Sequence, residues 1–63
     1  MNDLTMVALE RAEEITVSRG YNSIGYIHMD RLEEIFSTLN EGNIGEHVDM
    51  IVEEARLIYE KNL

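Results

Sequence analysis

Cysteine is absent from this chain, which removes disulfide bonds and thiolate zinc sites as sources of stability. Basic residues are scarce as well. Five of them against thirteen acidic residues give a formal net charge of -8, which excludes loose electrostatic attraction to nucleic acid or to an anionic membrane surface. A basic protein partner is the charge-compatible one. No apolar run approaches the roughly 18 residues a membrane span needs, and the first twenty residues have neither a basic start nor an apolar signal core. With cysteine missing too, the expectation is a cytoplasmic protein without membrane contact.

The residues that carry chemistry are equally thin. Ser18, Ser23 and Ser37 have no evident base or oxyanion loop, and Gly20 and Gly25 follow no strand and precede no Gly-Lys pair. Ten glutamates suggest a carboxylate metal site of the helical-bundle kind, but that design uses Glu-x-x-His pairs and none occurs here. His28 with Asp30 and His47 with Asp49 are two residues apart, so on a helix each pair points about 200° apart and chelates poorly. Both histidines are expected to face solvent or to sit beside helix caps. No catalytic residue, cofactor or metal is expected, and the chain is read as a non-enzyme.

What the sequence does hold is helical periodicity in three segments. Residues 43–62 form the longest unbroken one: Ile44, Val48, Ile51, Ala55 and Ile58 step along one face, widened by Val52 and Tyr59. Asn43 and Glu46 have capping-box spacing at its start. Residues 3–19 read as a first helix, capped by Asn2 or Asp3 and closed by Gly20, with Leu4, Ala8, Leu9, Ala12 and Ile15 on its apolar side. The two alanines would let a neighbouring helix approach closely. Residues 29–40 read as a second helix with Met29, Leu32, Ile35, Phe36 and Leu39 inward, and Asp30 with Glu33 repeating the capping-box spacing. The joining segment 20–28 is a loop or short extended piece, too apolar at Tyr21, Ile24, Tyr26 and Ile27 to be a solvated linker. Glu13-Glu14, Glu33-Glu34 and Glu53-Glu54 recur every twenty residues, a spacing that similar amphipathic helices produce without duplication.

The fold expected is therefore all-α: one three-helix domain over residues 1–63. At that length a domain buries only about 60% of its unfolded surface, and near-complete burial of its apolar side chains would be needed to offset the ordering of the chain. Pairing with a second copy is the expected remedy. Met6 and Val17 on the first helix and Met50, Leu57 and Tyr59 on the third lie outside or at the margin of the core stripes, and they are the candidate interface.

The function expected is that of a small acidic protein acting by contact with itself and with an unidentified, basic protein partner, and not with nucleic acid directly. In general character, short acidic cysteine-free helical chains resemble the regulatory, accessory and host-modifying proteins of bacteriophages and mobile elements; no motif narrows that to a family. The alternative is an acidic mimic of nucleic acid that inhibits a basic DNA- or RNA-binding enzyme, with Glu10, Glu13, Glu14, Glu53, Glu54 and Glu60 as its face if the first and third helices are neighbours. A helix-turn-helix reader of DNA is disfavoured, because the candidate recognition helix offers no basic residue before Arg56.

Overall fold

The structure, a computed structural model, describes residues 3–63. Among these it contains three α-helices, α1 (Asp3–Ser18), α2 (Met29–Phe36) and α3 (Ile44–Lys61), with a single 3-10 turn at Ile24–Tyr26 and no strand. The all-α architecture matches the periodicity. Asp3, one of the two expected caps, lies within α1, and the other, Asn2, lies outside the described residues.

The central contact is α1 against α3. On α1 the buried line is Thr5, Ala8, Ala12 and Thr16, at steps of three, four and four residues, while Leu4, Leu9 and Ile15 are half-buried beside it. Ala8 and Ala12 share the core cluster with Val48, Ile51, Val52 and Ala55 of α3. Ala8 and Ala12 on α1 and Ala55 on α3 are the short side chains that let neighbouring helices approach, and the compact side chains of Thr5 and Thr16 continue that line on α1. The sequence pattern passed over both threonines because they are polar.

After Ser18 the chain turns through a Schellman arrangement. Gly20 takes φ +78°, its amide donates to the Val17 carbonyl, and the Tyr21 amide donates to the Thr16 carbonyl, both at 3.0 Å. Asn22 is left-handed too, at φ +66°. These two reversals lead into the 3-10 turn, which Glu13 of α1 holds: its Oε2 accepts from the Ile24 amide at 3.0 Å and from the Ser23 hydroxyl at 3.2 Å. Ile27 is thereby delivered into the core and Tyr21 stacks on Tyr59 of α3, ring centroids 5.7 Å apart. Of the segment's four large apolar residues, Tyr21, Ile24 and Ile27 pack inward as the composition implied. Tyr26 is the exception, 69% exposed on the outer side of the turn.

α2 is shorter than expected, ending at Phe36 and not at Asn40. Its start is capped by His28, whose Nδ1 accepts from the Asp30 amide at 3.2 Å, in place of the Asp30–Glu33 box. Its end is set by side chains that compete for the backbone groups a continuing helix would use. The Ser37 hydroxyl donates to the Glu34 carbonyl at 2.7 Å, and the Thr38 carbonyl accepts from Asn43 Nδ2 at 2.7 Å. Asn43 Oδ1 accepts from the Asn40 amide at 2.7 Å, so Asn43 stands at the N-cap of α3 without using its side chain as a cap. No Asn43–Glu46 box forms. His47, buried among these groups, ties the turn instead to α3: its Nδ1 meets the Asn43 carbonyl at 2.9 Å and its Nε2 meets the Thr38 hydroxyl at 3.0 Å. A carbonyl only accepts, so Nδ1 carries the proton and Nε2 accepts from Thr38. His47 is cap-adjacent as expected, yet it is a core residue and not a solvent-facing one.

Candidate interaction surface

A helix of eight residues is about 12 Å long, against about 24 Å for α1 and 27 Å for α3. α2 packs on α3 through Ile35, its sole buried residue, and through Arg31, whose Nη2 and Nε lie 2.8 and 2.9 Å from Glu54 Oε1. α2 and α1 barely approach each other. The seam between them is left open as an apolar groove of about 350 Å³, lined by Thr5 and Leu9 from α1 and Met29, Leu32, Glu33, Phe36 and Ser37 from α2. Leu9, Leu32 and Phe36 are half-buried in its walls, and Met29, expected in the core, is 61% exposed at its mouth.

Charge is not evenly compensated around the molecule. On α3 the Arg56 guanidinium binds Glu53 and, at 2.6 Å, Glu60, while Glu54 takes Arg31. Hydrogen bonds from Arg56 hold the Glu53 carboxyl below its ordinary range, and the same contacts raise Arg56 itself. Such exposed pairs contribute little to stability, but they neutralise half of the candidate acidic face. Terminal helices α1 and α3 are neighbours, the condition set for that face. Glu13 spends its carboxylate on the 3-10 turn. Glu10 and Glu14 make no ion pair or hydrogen bond among the described residues; with Leu9, Glu13 and Ile24 they line a shallow hollow that adjoins the groove through Leu9. Glu33, in the groove wall, is likewise without a cation.

The five candidate interface residues do not form one patch. Met6 and Val17 are exposed on the side of α1 away from its buried line and lie eleven residues apart, about 16 Å along the helix. Met50 and Leu57 are exposed one heptad apart on α3, at 41% and 48%. Tyr59 is half-buried and already has Tyr21 as an intramolecular partner. Among the described residues no cluster of three metal-ligating side chains occurs, and His28 and His47 stand on different caps.

Sequence reasoning missed the groove because it assigned Leu9, Leu32 and Phe36 to a closed core. One signal pointed the other way: four apolar residues crowded into Met29–Phe36 exceed what a short helix can bury against one neighbour. No helix among the described residues is long and apolar enough to cross a membrane. Comparison with protein-family models, curated proteins and solved structures finds no match to this chain.

Proposed function

We propose that this is a non-enzymatic protein that works through protein–protein contacts, pairing with a second copy through α3 and docking a further protein partner. The observation that carries this is the number of large apolar side chains left in contact with water: Met6, Val17, Tyr26, Met29, Met50 and Leu57 are all exposed, while three of the eight buried hydrophobic residues among those described are alanines. A core that small is supplemented in other minimal domains by metals, disulfides or subunit association, and here cysteine is absent. Met50 and Leu57 are the best-placed pair for self-association because they stand on the longest helix, spaced so that both face one way. A mimic of nucleic acid has less support, since Arg56 and Arg31 already engage Glu53, Glu54 and Glu60.

Sedimentation over a range of protein concentrations tests the pairing. The expected result is a monomer–dimer equilibrium that Met50→Glu or Leu57→Glu shifts to monomer while helix content is retained. A wild-type chain that stays monomeric at every concentration refutes self-association, and an equilibrium untouched by both variants moves the contact off α3.

A further inference from the structure

Resting on that reading, we propose that the groove between α1 and α2 is the docking site for an amphipathic helix of the partner, one that carries basic residues beside its apolar anchors. The shape argues for a helix. Both walls are helices, there is no strand edge among the described residues to extend, and the seam between α1 and α2 is an open apolar groove that two helices form without closing. Leu9, Leu32 and Phe36 offer half-buried surface for inserted side chains, and Met29 at the mouth has the unbranched flexibility that lets a groove adapt to its guest.

The charge decides between occupants. Glu33 in the wall and Glu10 and Glu14 in the adjoining hollow are uncompensated, whereas the carboxylates of α3 have arginines. A second copy of this chain would bring its own net charge of -8 against these carboxylates. A helix with lysine or arginine flanking its leucines would meet each surface with its complement, gaining in encounter rate and in selectivity against acidic competitors.

The test uses the full chain, isotopically labelled, and a synthetic amphipathic peptide about 16 residues long, four helical turns, with a leucine stripe flanked by lysines. A second peptide has glutamate in place of every lysine. The lysine peptide is expected to bind saturably, with amide shifts centred on Leu9, Met29, Leu32, Glu33 and Phe36. Met29→Gln is expected to weaken it about tenfold. Glu33→Lys should weaken it several-fold at low salt and much less at high salt, where exposed charges are screened. Leu63→Gln, 85% exposed beyond the end of α3 and away from the groove, should leave affinity unchanged. Equal binding of the glutamate peptide, shifts spread over the whole acidic surface, or no saturation at millimolar peptide overturns the assignment. So does a change in the sedimentation of the free protein on Met29→Gln, because the groove would then belong to a second copy. Shifts centred on Met50 and Leu57 would also overturn it while leaving the protein-binding function intact, which separates failure of the groove from failure of that function.

Discussion

At the scale of single residues, one polar side chain among the described residues is buried without compensation. Thr16 lies on α1 with no solvent exposure, and its Oγ1 has no hydrogen-bond partner. Leaving a buried hydroxyl unpaired costs about 1–3 kcal/mol, whereas the same shape without the hydroxyl carries no such penalty. Thr16→Val is therefore expected to raise stability by about 1 kcal/mol, measured as a shift of the denaturant midpoint with unchanged slope. His47 shows the opposite case. It is buried too, but the Asn43 carbonyl and the Thr38 hydroxyl satisfy both ring nitrogens, so its polarity contributes to the joint between α2 and α3.

At the scale of elements, the sharpest local requirement is the reversal after α1. Nothing lies within 4 Å of a methyl group built on Gly20, so crowding is not what a side chain would meet there; its φ of +78° is. Gly20→Ala is expected to destabilise by about 1–2 kcal/mol, read from thermal or chemical denaturation, the cost of a left-handed conformation for an L residue with a Cβ. That glycine was legible in advance as the closure of the first helix, and so were the axes of α1 and α3, because Ala8, Ala12, Val48, Ile51 and Ala55 repeat at helical spacing. The end of α2 was not. Leu39 continues the apolar period, but Ser37, Thr38, Asn40 and Asn43 have side chains that bind backbone groups across the turn, and a count of apolar positions is blind to such competition. The caps failed for a related reason: His28 accepted where Asp30 also had suitable chemistry, and Asn43 gave its side-chain oxygen to the Asn40 amide and not to α3; spacing alone ranks neither competing acceptors nor competing donors. The groove follows from the shortened helix. Once α2 stops at Phe36 it covers half the length of its neighbours, and residues that would have met across a closed seam line an open one.

At the scale of the whole molecule, the described residues form a body of 34 × 22 × 17 Å with eight buried hydrophobic residues, and on the proposed pairing a second copy adds to the stability of so small a core. The thermal midpoint is accordingly expected to rise with protein concentration, and to rise further with added salt as repulsion between like-charged copies is screened; differential scanning at several concentrations checks both. A midpoint independent of concentration would mean that each copy is sustained by its own core. The close seam of α1 and α3 has one more consequence. Ala8, Ala12 and Ala55 leave no room for a larger neighbour unless the opposite helix changes with it, so inherited variation there must come in matched pairs. The outward sides of α2 are under no such constraint, and it is through this short helix that descendants of the chain can acquire new binding preferences without rebuilding the scaffold that carries it.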